Sequence, residues 1–257
     1  MIQTQDAVAY LDTLLDIANV PDYPNALNGL QFANLGTISK VAASVDFSQV
    51  AIDAAVREHA NFLIVHHGMF WPGLKPFTSV AYTRVRSLIE NDLAIYSAHL
   101  PLDRHPIFGN NVLLSGELGL APSGEFAWHK GISIGVRGDA DVATQKLIDR
   151  AIAFAARHSG HVIATPISEN RVTRKWAVCS GAGASSETLA EAHALGIDTL
   201  IVGEGPHHTA VEARELGITI IYAGHYATET LGVEALAKDL AKRFDLDYTI
   251  IHVPTGL

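Results

Sequence analysis

One pattern constrains this chain more than any other: a strand–helix–strand unit that occurs twice. Lys40 opens KVAASVDFSQVAIDAAVREHANFLIVHHG, and Lys175 opens KWAVCSGAGASSETLAEAHALGIDTLIVGEGPHH. Each starts with a short β-prone run, crosses a polar turn, continues through an Ala-rich helical stretch and ends in a second apolar strand, FLIV or TLIV. A helix between two such strands predicts a right-handed βαβ unit with parallel strands. The likeness continues in NDLAIYSAHLPLD, from Asn91, and LGITIIYAGHYATE, from Leu216, each holding a third strand reached after a further helical stretch. The expected fold class is therefore α/β: two interlinked, pseudo-repeated units with mostly parallel sheets.

Between the repeats, residues 122–174 carry two β-like runs, KGISIGVRG and HVIATPI, around the helical segment DVATQKLIDRAIAFAARH. A last helix, ATETLGVEALAKDLAKRF, and a last strand, YTIIHVP, are expected to return to the first unit. The division this predicts is 1–121 with 225–257 as one domain and 122–224 as the other. The 257 residues, 48% of them hydrophobic, suffice for one large domain or two intimate smaller ones.

A formal charge of −9, spread along the chain, argues against general binding of nucleic acid or anionic membranes. Cys179 is the only cysteine. It excludes an internal disulfide and a thiolate zinc site, and within WAVCSGAG it reads as a small core residue. At the N-terminus, Thr4, Asp6 and the apolar series Val8, Leu11, Leu14 and Leu15 predict a capped amphipathic helix, with none of the basic character of a secretory leader. No apolar run approaches the ~20 residues of a membrane span. A cytoplasmic protein is the expectation.

Function enters through the histidines. The run IVHHGMFW ends a buried-looking strand on His66 and His67, and packing supplies no reason for two imidazoles there. Overlaying the repeats sets His99 on His225 and Asp103 on Glu229, so that His99-Leu-Pro-Leu-Asp103 and His225-Tyr-Ala-Thr-Glu229 each place a carboxylate four residues after a histidine. Glu204, His207 and His208 stand beyond another strand, in VGEGPHH. Ligands of open α/β sheets gather beyond the carboxyl ends of strands. Imidazole and carboxylate together suit Zn²⁺, Mn²⁺, Fe²⁺, Co²⁺ or Ni²⁺ better than Ca²⁺ or Mg²⁺.

His66, His67, Asp103, His225 and Glu229 are accordingly read as metal ligands. They exceed what one tetrahedral ion requires, which points to two ions between the units at the strand ends. In an extended backbone His66 and His67 face opposite sides, and a turn at Gly68 or a second metal would use both. His99 is read as a ligand or as the partner that orients one. Glu204 and His208, with His207, are candidates for moving protons, the alternative being a polar loop. The remaining histidines, His59, His105, His129, His158, His161, His193 and His252, are read as surface or hydrogen-bonded residues.

VHHGMFW, AHLPLDRHPIFGNN and AGHYATETLG resemble the signature segments of the Nif-three-like dinuclear metal proteins, many of which carry the name GTP cyclohydrolase 1 type 2 homologue. ALNGLQF, from Ala26 to Phe32, is similar to that family's early Asn-Gly-Leu-Gln segment, so the resemblance runs over nearly the whole chain. It implies the same five ligands for two metals, two interlinked α/β domains and a homo-oligomer, a ring-shaped hexamer. Many relatives have a second histidine after the position of His225, where this chain has Tyr226.

Two divalent ions activate water and stabilise negative charge, so a hydrolase acting on GTP, another nucleotide or a phosphoester is the leading expectation. The alternative is a non-catalytic metal-binding regulatory or scaffold protein. No Gly-x-x-x-x-Gly-Lys phosphate loop is present. Lys75, Arg84, Arg86 and Lys130 are read as solvated surface charge or as phosphate contacts. Trp71 is read as packing beneath the site or stacking on a base, and Asn28, Gly29 and Gln31 as a structural turn or part of the site.

Overall fold

The computed structural model describes residues 1–257 and divides the chain into two compact units, Met1–Leu102 with Gly232–Val253 and Asp103–Leu231 with Pro254–Leu257. The first unit begins with β1 (Ile2–Gln3), α1 (Thr4–Leu14), β2 (Gly29–Phe32) and β3 (Thr37–Ile38), and continues through β4 (Lys40–Asp46), α2 (Gln49–Arg57), β5 (Phe62–His67), α3 (Ser79–Glu90) and β6 (Ala94–Ser97). The chain leaves it in α4 (Leu100–Asp103).

The second unit holds α5 (Asn110–Glu117), β7 (Gly124–His129), β8 (Ile132–Ala143), α6 (Thr144–Arg157), β9 (Ile163–Ala164), β10 (Val172–Cys179), α7 (Ser186–Ala194), β11 (Thr199–Val202), α8 (His207–Glu215), β12 (Thr219–Tyr222) and α9 (His225–Thr228). The chain then passes through α10 (Thr230–Phe244) to β13 (Asp247–Ile250), which pairs in parallel with β4 of the first unit.

The repeat read from the sequence is a repeat of topology. One sheet has the order β13-β4-β5-β6-β2 and the other β7-β8-β10-β11-β12-β9. In each, three successive strands (β4, β5, β6 or β10, β11, β12) pair in parallel and in chain order, as helical crossovers require. In each, an antiparallel strand closes the far edge, β2 beside β6 or β9 beside β12. The second sheet adds the antiparallel hairpin β7–β8.

Burial explains why these runs are apolar without alternation. In β10, Trp176 and Val178 join one core cluster with Leu147 and Phe154 of α6, while Ala177 and Cys179 join another with Leu189 of α7. Both faces of the second sheet are covered, the usual condition of parallel strands. In the first unit Ala42, Leu63, Val65 and Ile95 pack on Ile52 of α2 and Leu88 of α3, and Phe62, Ile64 and Tyr96 on the other face are equally inaccessible. Local signals agree with the packing: Ser48 Oγ accepts from Ala51 N at the start of α2, and Ser185 and Thr188 form a capping box on α7.

Two local expectations are corrected. Thr4 is the first residue of α1 rather than its cap, because its hydroxyl donates to Asn34 Oδ1 (2.7 Å). β8 runs on to Ala143, taking Asp141 to Ala143 from the expected helix, because Val142 pairs with Thr173 and the buried Thr144 hydroxyl bonds that of Thr173. No helix is long and apolar enough to cross a membrane. Since Leu63 is inaccessible at the centre of the first sheet, Leu63→Ala should lower unfolding free energy by about 2–5 kcal/mol in denaturant titration. A loss below about 0.5 kcal/mol would contradict this account of the core.

Candidate metal centre

In the first unit β5 delivers His66 and His67 to the end of the sheet. His66 is inaccessible to solvent, and its Nδ1 lies 2.8 Å from Ala98 O. A carbonyl only accepts, so Nδ1 carries the proton and the ring's lone pair sits on Nε2. His67 Nδ1 lies 2.9 Å from Asp46 Oδ1, and these two residues are register partners across β4 and β5. His99 Nδ1 lies 2.9 Å from Asp22 Oδ1. Three imidazoles are thus each held through Nδ1 by an oxygen, and ligand atoms of all three lie within 4.8 Å of one another.

His66 and His67 are the last two residues of β5, and their rings lie 4.8 Å apart between centroids. Gln31 holds the turn that follows them. Its Oε1 accepts from Met69 N (2.7 Å) while its Nε2 donates to Ala26 O and Leu27 O. A Cβ on Gly68 would sit 2.3 Å from the Gln31 carboxamide, so only glycine admits this clamp. Asn28 supports the other side, accepting from His99 N and donating to Asp22 Oδ2. Burial pushes the Asp22 pKa up, but the hydrogen bond and charge of His99, with Asn28 and Tyr23 N–H, outweigh it and hold the carboxyl below its usual range. The Asn-Gly-Leu-Gln stretch is therefore the scaffold of the histidine cluster. The Trp71 ring packs on His99 (4.6 Å) and His67 (5.2 Å), walling the cluster.

In the second unit Asp103 is buried at the end of α4. Asn110 Nδ2 (2.8 Å) and Ser180 Oγ (3.2 Å) donate to its Oδ1, and Asn111 ties its backbone carbonyl to Ser180 N. His225 follows β12; its Nδ1 lies 2.8 Å from Glu204 Oε1 and its Nε2 3.1 Å from Glu229 Oε2. Gly181, at φ +59°, makes room for Glu229, because a Cβ there would lie 2.1 Å from Glu229 Oε1. Cys179 lies beside this group, its thiol pushed up to about 12 by burial and then by the charges of Asp103 and Glu229. It stays protonated, in keeping with a core role.

Sequence reasoning did not find Asp22, Asp46, Asn110, Asn111 or Ser180. Asn110 and Asn111 lie within AHLPLDRHPIFGNN, one of the segments that carry the family resemblance, and the other three have no local signal. Glu204, expected in proton transfer, holds His225 and also lines an open cavity of about 380 Å³ with His207. His208 is exposed on the first turn of α8 and does not line that cavity. Arg86 is an exposed partner of Glu90, whereas Lys75 and Arg84 line a separate cavity. His105 caps a turn, its Nδ1 accepting from Ile107 N and Phe108 N.

The donor set suits a transition-metal cation. Anchoring Nδ1 fixes ring orientation and raises the basicity of Nε2, as in metal-bound histidines generally. Burial lowers the His225 pKa, but the Glu229 and Glu204 carboxylates outweigh it and raise it to about 9. In chelator-treated protein His225 should therefore titrate near 9 by NMR, and Glu204→Gln should lower that value. Because the folded pKa is raised, this group's stabilisation is full below about 6.5 and is lost as pH rises through about 9. Titration of His225 below 6.5 in the metal-free protein would overturn this account of its surroundings.

The sequence and the fold both have known relatives. The model of the Duf34/NIF3 (NGG1p interacting factor 3) family matches residues 2–255. A GTP cyclohydrolase 1 type 2 homolog of Deinococcus radiodurans is 37% identical over 100% of this chain and 95% of its own length. One from Escherichia coli is 36% identical over 93% of this chain and 94% of its own. The solved structure of protein ybgI, of unknown function, superposes with a TM-score of 0.89 at 32% identity, and that of TTHA1606 from Thermus thermophilus with 0.86 at 34%, each over 100% of both chains. The chain belongs to the Duf34/NIF3 family.

Proposed function

We propose that this protein is a dinuclear metal-dependent hydrolase, with His66, His67, Asp103, His225 and Glu229 as ligands of two divalent transition-metal ions, Zn, Fe, Mn, Co or Ni. The observation that carries the reading is the fixing of four imidazoles through Nδ1, by Ala98 O, Asp46, Asp22 and Glu204. Bound ions of this kind supply an activated water and stabilise developing negative charge. The chain's own residues do the rest. Asp46 and Glu204 set the tautomers of His67 and His225, and the Asn110–Ser180 pair aims Asp103. His99, backed by buried Asp22, is assigned as the ring that steadies His66 and His67, and Trp71 limits water beside them.

Glu204 is assigned as the proton carrier, since its side chain is 47% exposed and faces the cavity shared with His207 while one oxygen holds His225. The name GTP cyclohydrolase 1 type 2 homolog borne by the relatives supports a nucleotide or another phosphoester as substrate. The family resemblance also supports a homo-hexamer, and sedimentation equilibrium at the mass of six chains is expected; a monomer would overturn that assignment.

Elemental analysis of protein purified without chelator should find two metal ions per chain. Asp103→Ala and Glu229→Ala should each lose at least one with an unchanged circular dichroism spectrum; full metal content in either would overturn the ligand assignment. Glu204→Gln keeps an oxygen for His225 Nδ1, so it should retain metal while turnover in a nucleotide and phosphoester screen falls by about 100-fold or more. Undiminished turnover would remove Glu204 from that role. Two metals with no turnover by the unaltered protein would favour the metal-binding regulatory or scaffold reading.

A further inference from the structure

A second cavity, of about 270 Å³, lies in the first unit, and none of the candidate metal ligands lines it. Phe47, Phe70, Phe77 and Val80 supply an apolar lining, and Lys75 and Arg84 are its two cations. We propose that it is a binding site for a small amphiphilic anion: an aromatic or branched-aliphatic body carrying one carboxylate, phosphate or sulfonate group. The proposal does not depend on the hydrolase reading.

Charge sets this cavity apart. The chain has 27 acidic and 18 basic residues, so its cations have carboxylates to spare. Arg86, two positions along α3, takes Glu90 at 2.7 Å. Arg84 instead lies over the Phe47 ring, 5.5 Å from its centroid, and its Nε is buried without a hydrogen-bond partner. A guanidinium is always charged, presents a planar fork of donors and is costly to desolvate unpaired. An anion seated between Arg84 and Lys75 would offset the charge of both.

Apolar surface and size narrow the ligand further. Phe77 and Val80 line the cavity and are 59% and 57% exposed, apolar side chain that a docked ligand would cover. The volume falls just below the roughly 300–1,000 Å³ of drug-sized ligand pockets. It admits a small ring system or a short branched chain, and a nucleoside triphosphate is too large.

The cavity also adjoins the histidine cluster through the chain itself. Phe70 and Pro72 line it and flank Trp71, whose ring packs on His67 and His99. Phe47 follows Asp46, the anchor of His67, and donates its backbone N–H to His67 O (2.9 Å). Occupancy is therefore expected to alter the surroundings of Trp71, which supplies a readout.

The test is titration of the metal-loaded protein with 1-naphthalenesulfonate, a weak metal ligand, followed by calorimetry and tryptophan emission. One molecule per chain should bind saturably, with an emission change that Trp71→Phe abolishes. Uncharged 1-naphthalenemethanol and inorganic sulfate should each bind at least about tenfold more weakly, because each lacks one half of the recognition. Arg84→Gln should weaken the sulfonate by about tenfold or more. Val80→Trp, a change at an exposed helix position that narrows the mouth, should do the same with the fold and metal content intact. Undiminished binding by both variants overturns the proposal. So does binding that His67→Ala abolishes and Arg84→Gln spares, which would put the probe on the metal centre. Absence of saturable binding, with Phe77→Arg splitting an oligomer, would assign the surface to a second copy of the chain and equally overturn it.

Discussion

The hydrogen bond from an imidazole Nδ1 to an oxygen beyond a strand end is the contact on which the site depends, and it makes demands on the fold. An unpaired polar group in an apolar interior costs on the order of 2–7 kcal/mol, and His66 is wholly buried. Its partner, Ala98 O, lies just past β6, so the pairing must keep the register that sets Val65 against Ser97. The same holds across β4 and β5, where Asp46 pairs with His67 both in register and through side chains. A slip of one residue in either pairing would turn the histidine to the other face and strip its anchor. Site and sheet register are one constraint.

The repeated topology explains why the anchors recur. His99 follows β6 and His225 follows β12, the third strand of each parallel trio, and each has a carboxylate on Nδ1. The carboxylates come from different places: Asp22 from the loop before β2, and Glu204 from the turn after β11. Duplicated strands thus carry a duplicated chemical arrangement whose supporting residues are not themselves duplicated. The glycines differ in the same way. Gly68 yields to a Gln31 carboxamide and Gly181 to the Glu229 carboxylate, each where a Cβ would collide with a side chain of the site.

These features also explain what the sequence made legible. The parallel trios were readable because strands buried on both faces are continuous apolar runs between Ala-rich helices. β7 was not, since only Phe126 and Ala127 of GEFAWH are buried and the strand is an edge held by its hairpin partner. β9 is two residues long and exists because it pairs with β12. In the site, the histidines stood out because an imidazole ending an apolar run has no packing reason to be there. Asp22 and Asp46 gave no such sign, lying 77 and 21 residues from the rings they hold. Contacts of that separation follow from topology, which no local pattern carries. The Asn-Gly-Leu-Gln stretch was visible as a motif, yet its work as a clamp on Gly68 and His99 shows only when the distant partners are in place.

Charge accounts for the chemistry more fully than shape does. Around His225, Glu204 and Glu229 face one imidazole at bonding distance, and the ring answers by holding its proton to about 9. A proton there does the work a divalent cation would do better, since one ion neutralises more than one carboxylate and accepts the nitrogen lone pair besides. The cavity beside Phe47 has the opposite imbalance, with two cations, an apolar lining and no acid among its walls. A chain with an excess of nine negative charges had ample means to pair Arg84 internally, as it paired Arg86. That it did so on one side of α3 and not on the other makes the unpaired guanidinium a property of the cavity rather than of the composition.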